Sequence, residues 1–467
     1  MGRLLWSPSE SRIKSSLLYK FIQESPIDSK SYADLHRWSI DNMEDFWSQF
    51  WEFSNIIYSK NYDRVLSNPT MPGARWFEGS RLNYAENLLS GNPDQIAIIG
   101  TGEGRKDESF TFRELNIAVA SAQRGLRKLG VESGTRVAAF VPNCVETVIL
   151  MLAATASGAI WTSCSPDFGS QGVIDRFGQV GPSLLIVANG YNYNGKTFDL
   201  EDKINGVLER IDTIENVISI KFVQTPCNLK HPSVIEYTDL LIDNISSVPE
   251  FVQLPFNHPL YIMYSSGTTG PPKSIVHGAG GTLIQHLKEH QLQCDIQSGR
   301  DRLFWFTTCG WMMWNWLVSG LASGASIVLY EGSPGYPDLG TLWRIAERTE
   351  ITHFGTSPKF LAACSKSEKI PREIADLSNF KSLLSTGSPL VPEQFDWVYK
   401  NVNSDIQVAS ISGGTDIIGC FLAGSPLLPV YRGEIQCSQL GMDVQSWNVD
   451  GKSVIGESGE LVCASPF

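Results

Sequence analysis

Tyr264-Ser265-Ser266-Gly267-Thr268-Thr269-Gly270-Pro271-Pro272-Lys273-Ser274 is the stretch on which the reading of this chain turns. Hydroxyl side chains set around Gly267 and Gly270 place O–H donors and unblocked backbone N–H groups on one loop that ends at Lys273, a donor set able to wrap a polyphosphate. A Walker A loop needs Gly directly before its Lys and a helix directly after it. Here Pro272 precedes Lys273, and Ser274-Ile275-Val276-His277 reads as strand, which excludes an ordinary P-loop NTPase. A solvated Gly/Ser/Thr turn is the bland alternative for such a loop. Against it, no Asp or Glu occurs between positions 251 and 288 in a chain that holds 49 acidic residues, so competing anions are kept away from the loop.

Outward from this loop, apolar runs of strand length alternate with helical patterns. The runs lie at 96–99, 136–141, 184–188, 260–264, 303–307, 326–330, 382–385 and 408–411, and Thr111-Phe112-Arg113-Glu114 is a capping box opening a helix that ends at Gly130. This alternation predicts an α/β fold with two parallel-rich sheets flanked by helices. After about Pro429 the pattern shortens to a small antiparallel β unit. The uncharged stretches 147–164 and 303–330 approach membrane-spanning length. Ser157-Gly158 cuts the first, and Gly310, Asn315 and paired Ser-Gly steps cut the second, so both read as buried helix and strand pairs with no membrane insertion. In the first 93 residues Phe46, Trp47, Phe50, Trp51 and Phe53 follow Glu44-Asp45 at helical spacing, which predicts an amphipathic helical cap over 1–93 and a second unit over 94–467.

Charge and cysteine usage narrow the function classes. The net charge of −12 repels phosphate backbones and anionic membranes, so nucleic acid is not an expected partner. Nine scattered cysteines without a Cys-x-x-Cys pair argue against a disulfide framework and a zinc cluster. With no apolar signal run in Met1-Gly2-Arg3-Leu4-Leu5-Trp6, the expected address is the cytosol.

Three further elements bear on chemistry. Ser412-Gly413-Gly414-Thr415-Asp416-Ile417 follows a predicted strand, and a strand end opening into small residues lets a ligand approach the backbone. Asp416 could hold a hard cation such as Mg²⁺ and Thr415 could donate to a phosphate; taken alone, the same residues also read as an Asx-type loop. Ser385-Thr386-Gly387-Ser388-Pro389-Leu390 is another strand end, equally a plain connection or a ligand wall. Trp305, Trp311, Trp314 and Trp316 either fill core or line a slot for a small carbon chain.

The order Tyr-Ser-Ser-Gly-Thr-Thr-Gly-x-Pro-Lys and then Gly-x-Thr-Asp resembles the adenylate-forming acyl-CoA synthetase superfamily. The likeness extends from Arg75-Trp76-Phe77-Glu78-Gly79 to Gly459-Glu460-Leu461-Val462. Asn83-Tyr84-Ala85-Glu86-Asn87 and Cys164-Ser165-Pro166-Asp167-Phe168-Gly169 are similar to a branch of it that handles short-chain acids. The resemblance implies the large N-terminal domain of that superfamily, ATP and Mg²⁺ as cofactors, and coenzyme A as co-substrate. A carboxylic acid is joined to ATP as an acyl-adenylate with release of pyrophosphate, and AMP is then exchanged for coenzyme A.

Carried over by position, Ser265, Ser266, Gly267, Thr268, Thr269, Gly270 and Lys273 hold the β- and γ-phosphates. Gly387 and Ser388 border the adenine, Ser412, Gly413 and Gly414 line the nucleotide, and Thr415 meets the α-phosphate. Asp416, where the family carries Glu, positions the metal, and Trp311 lies near the acyl and pantetheine path. Thr268, Lys273, Thr415 and Asp416 are the expected catalytic set. Acetyl-specific relatives carry Trp where this chain has Gly413, so the expectation is freed volume for a four-carbon acid such as acetoacetate, with Gly413→Trp favouring acetate. The family's Tyr-x-Thr-Gly-Asp segment, hinge and small C-terminal domain with its Lys are not found before Phe467, so this polypeptide is expected to be truncated and to turn over poorly. A different short-chain acid, or a non-catalytic binding form, are the alternatives.

Overall fold

The structure, a computed structural model of the chain, describes residues 2–28, 30–242, 248–265 and 270–467. Strands β1 (Ile96–Gly102) and β2 (Glu108–Thr111) form an antiparallel hairpin. Then follow β3 (Arg136–Phe140), β4 (Ile160–Cys164), β5 (Leu184–Ala188), β6 (Asn216–Ile220), β7 (Val234–Glu236), β8 (Pro259–Ser265) and β9 (Lys273–Gly278), which make one seven-stranded sheet in the order β7-β6-β5-β3-β4-β8-β9. Strands β10 (Arg302–Trp305), β11 (Ser326–Glu331), β12 (His353–Thr356), β13 (Ser382–Ser385) and β14 (Gln407–Ser410) join the first hairpin in a second seven-stranded sheet, β14-β13-β12-β10-β11-β1-β2. All neighbours run parallel except β8 with β9 and β1 with β2.

Parallel strands are covered on both faces, and the sequence supplies that: every residue of β5 and of β11 is buried. The helices obey the same demand. Aromatic helix α1 (Met43–Phe53) buries Phe46, Trp47, Phe50 and Trp51, and Phe21 meets Phe46 and Phe50 edge-on at 5.8 and 6.1 Å. These residues fill core continuous with the first sheet, as the spacing predicts. Helix α2 (Phe112–Lys128) starts on the predicted capping box, Glu114 N–H donating to Thr111 Oγ1 and Thr111 N–H to Glu114 Oε2, and Gly130 beyond its end sits at φ +83°. Helix α3 (Val145–Ala156) is apolar around nearly its whole circumference and buried accordingly.

The two uncharged stretches resolve as the sequence predicts, into α3 with β4, and into β10, a buried helix and β11. Among the described residues no helix is long and apolar enough to cross a membrane. The antiparallel unit begins earlier than Pro429. Strand β15 (Ser412–Gly414) pairs with β16 (Gly419–Ala423), and Val444–Trp447 pairs with Glu460–Cys463.

Buried polar contacts join the two sheets, and one of them lies where their carboxyl ends meet. Just after β3, the backbone N–H of Asn143 donates to Glu331 Oε2 at the end of β11 at 2.7 Å, and Asn143 Oδ1 accepts from Trp314 Nε1 at 3.0 Å. Burial pushes the Glu331 carboxyl up from 4.5 to about 7. The folded protein therefore keeps a proton that the unfolded chain releases near 4.5, and stability is lost as pH rises between these values, by about 3 kcal/mol at most. Replacing Glu331 by Gln keeps an acceptor for Asn143 and removes the charge. We expect Glu331→Gln to raise the thermal midpoint at pH 8 and to change it little near pH 4.5; equal shifts at both pH values contradict this account.

Candidate functional site

The loops beyond the carboxyl ends of both sheets converge, the place where α/β sheets take ligands. The first wall is the β8–β9 hairpin. Its ladder closes with Ser265 opposite Lys273, so a strand follows the lysine as the sequence predicts. Ser265 is half-buried, while Gly270 and Lys273 are exposed. Ser266, Gly267, Thr268 and Thr269 lie outside the described residues.

Helix α4 (Ser170–Val180) grips the base of this hairpin. Gln179 Nε2 donates to the Pro272 carbonyl at 2.8 Å and Gln179 Oε1 accepts from Ser274 Oγ at 3.2 Å. The Arg176 guanidinium lies over the rings of Phe168 and Tyr264 at 4.8 and 5.7 Å, a cation held against the strand that leads into the loop. Neither residue stands out in the sequence, because Gln179 and Arg176 act through a helix distant along the chain.

The second wall is the run from Ser412 to Ile418. Ile411 N–H donates to the Ser385 carbonyl and Thr386 Oγ1 donates to the Ile411 carbonyl, both at 2.8 Å, which sets the 385–388 turn directly beside it. Gly387 has φ +96° with open space around it, and Ser388 is exposed. A Cβ at Gly414 would meet Asp416 Oδ1, so the carboxylate folds back over the glycine. Thr415 is half-buried and Asp416 exposed. The walls are tied together by His277 of β9, whose Nε2–H donates to the Thr415 carbonyl at 2.8 Å. In β9 Val276 is exposed and His277 is buried, and that period-two alternation is the signal that could have singled the histidine out.

Two expectations change. Trp305, Trp314 and Trp316 are core, Trp314 stacking on Trp161 at 6.5 Å and Trp316 Nε1 donating to Glu289 Oε2 at 2.8 Å. Of the four indoles only Trp311, 63% exposed, can line an open site. Gly413 does not free an indole's volume. It sits opposite Cys420 where the β15–β16 register slips, and a Cβ there would overlap the Gly419 carbonyl and lie 2.5 Å from Cys420 Cα. The space beside Gly413 is filled by main chain, so Gly413→Trp would break the strand pair rather than reshape a pocket.

A cleft of about 230 Å³ reaches the turn, bounded by Trp47, Trp76, Phe256, His277, Gln285 and Asp416, so aromatic side chains of the first 93 residues approach the site. A wider cleft of about 920 Å³ around Arg105, Lys106, Lys196 and Lys221 holds none of the residues singled out above. Among the described residues no group of three His, Cys, Asp or Glu side chains is placed to hold a metal, so a cation at Asp416 would depend on ligand oxygens. A single protein carboxylate completed by phosphate oxygens and water is a coordination that suits Mg²⁺.

The profile of the AMP-binding enzyme family matches residues 86–467, and that of the acetyl-coenzyme A synthetase N-terminus matches 32–88. Acetoacetyl-coenzyme A synthetase of Rhizobium meliloti (strain 1021) is 45% identical over 469 residues, covering 100% of this chain and 72% of that protein. Malonamoyl-CoA synthetase of Penicillium aethiopicum is 41% identical over 494 residues, covering 98% of this chain and 68% of that one. The solved acetoacetyl-CoA synthetase from Streptomyces lividans superposes with a TM-score of 0.94 at 42% identity, over 99% of this chain and 73% of that structure. The chain belongs to the acetoacetyl-CoA synthetase family of AMP-binding enzymes.

Proposed function

We propose that the chain works as an ATP-dependent acid–thiol ligase that activates acetoacetate. A carboxylate oxygen attacks the α-phosphorus of ATP and pyrophosphate leaves; the sulfur of coenzyme A then attacks the acyl carbon and AMP leaves. Activation is needed because a carboxylate is a poor electrophile, and its oxygen must first become part of a good leaving group. The observation that carries this reading is the hydrogen bond from His277 to Thr415, which makes the lysine-bearing hairpin and the Thr415-Asp416 turn one construction.

In that construction Ser265, Gly270 and Lys273, with Ser266, Gly267, Thr268 and Thr269 between them, receive the β- and γ-phosphates. Thr415 donates to the α-phosphate, and the backbone from Ser412 to Gly414 runs along the nucleotide. Gly387 and Ser388 flank the base, and Trp311 stands at the mouth on the acyl side. Asp416 would hold Mg²⁺, which when bound offsets the mutual repulsion of carboxylate and triphosphate. We assign residues 1–93 as a helical cap and 94–467 as the adenylating unit, and place the reaction, on small anions rather than nucleic acid, in the cytosol.

Pyrophosphate release from ATP by the purified chain, read against a panel of acetoacetate, acetate and malonamate, tests the proposal. Acetoacetate should give the highest kcat/KM, and Lys273→Ala should lower it by about 10²–10³. Preference for another acid of the panel overturns the substrate assignment, and an unaffected Lys273→Ala variant overturns the phosphate assignment. Gly413→Ala should lower the thermal midpoint and weaken ATP binding together, because the methyl group pushes β16 away and shifts Thr415; a variant equal to wild type in both would contradict the close main-chain contact.

A further inference from the structure

The Thr415–Ile418 turn is held in a costly shape. Ile418 is β-branched, yet its φ is +47°, the left-handed region that β-branched side chains avoid. A residue in that region is strained and persists only where its surroundings fix it. The turn closes on itself by one bond, Ile418 N–H to the Thr415 carbonyl at 3.3 Å. Each end is also met by an imidazole. His277 Nε2 donates to the Thr415 carbonyl at 2.8 Å, and His286 Nε2 donates to the Ile418 carbonyl at 2.6 Å.

Behind His286 runs a buried hydrogen-bonded row. His286 Nδ1 meets Ser319 Oγ at 2.7 Å, Ser319 Oγ meets the Tyr84 hydroxyl at 2.6 Å, and the Tyr261 hydroxyl donates to that of Tyr84 at 3.2 Å. A carbonyl only accepts, so His286 carries its hydrogen on Nε2 and Nδ1 accepts from Ser319, which fixes the tautomer and the plane of the ring. Burial holds both imidazoles below their ordinary value, His286 at about 4, so both are neutral at pH 7.

We infer that His277 and His286 are positioning residues, a pair of N–H donors that clamp both ends of the strained 415–418 turn and so aim Thr415 and Asp416 at the nucleotide. The inference deepens the adenylation reading and rests on it. Each histidine acts through a backbone carbonyl, and the two come from successive elements, β9 and the helix α5 (Ala279–Lys288) that follows it.

The test uses the chain as it is, with Mg·ATP as the probe. His277→Leu, His286→Leu, His277→Gln and His286→Gln are compared with wild type by calorimetric Mg·ATP binding, by amide hydrogen exchange across residues 412–420, and by thermal midpoint. Glutamine can present an N–H where imidazole has Nε2; leucine cannot. Each leucine variant is expected to bind Mg·ATP roughly tenfold more weakly and to exchange faster in 412–420 than elsewhere, while each glutamine variant returns to within about threefold of wild type. Leucine variants that bind and exchange like wild type overturn the clamp, as do folded glutamine variants no better than leucine. If burial makes His286→Leu fail to fold, the His277 pair, nearer the surface, decides between the same two outcomes. A wild-type chain that does not bind Mg·ATP overturns the adenylation reading and the clamp with it; a wild type that binds, with indifferent leucine variants, overturns the clamp alone.

Discussion

Cover on both faces is the constraint from which the architecture follows. A parallel sheet cannot leave a face to water without exposing rows of Val, Ile and Leu, so the central strands β5 and β11 are buried on both faces. Helix α3, apolar nearly all round, can exist only between layers. Once Asn143 at the end of β3 reaches Glu331 at the end of β11, the carboxyl ends of both sheets face a common space. The hairpin ending at Lys273 and the turn through Asp416 are 143 residues apart in sequence and become neighbours for that reason.

The sheets were legible where burial writes itself as unbroken apolar runs: 184–188 and 382–385 match β5 and β13 residue for residue. Strands β6, β7 and β12 were not. Asn216-Val217-Ile218-Ser219-Ile220, Val234-Ile235-Glu236 and His353-Phe354-Gly355-Thr356 are short and mixed in polarity, and only their neighbours in the sheet make them strands. The hydroxyl-and-glycine loop and the Thr-Asp turn stood out in the sequence as polar donors beside glycines, and the fold brings the hairpin and the turn together through His277. What filled the space beside Gly413 was not. A glycine reads the same whether a ligand or a backbone comes close to it, and only the register slip between β15 and β16 decides that it is backbone. The roles of His277 and His286 were equally hidden, because their partners are main-chain carbonyls, which leave no letter in a sequence.

Buried titratable groups around this frame respond to pH with opposite signs. Glu331 favours its protonated form in the fold and is relieved by acid. His286 favours its neutral form, so its contribution is whole above about 6.5 and lost as pH falls toward 4, where the unfolded chain takes up a proton that the fold refuses. The two act at different places, one where the sheets join and one behind the turn, so mild acid relaxes the first while loading the second.

The main chain packed against Gly413 has a steric corollary. A position with no room even for a methyl group cannot take a side chain by itself, so a larger residue at this strand end requires a β15–β16 register different from the one seen here. Within the register seen here, a single replacement meets open space in facing loops such as the one bearing Trp311.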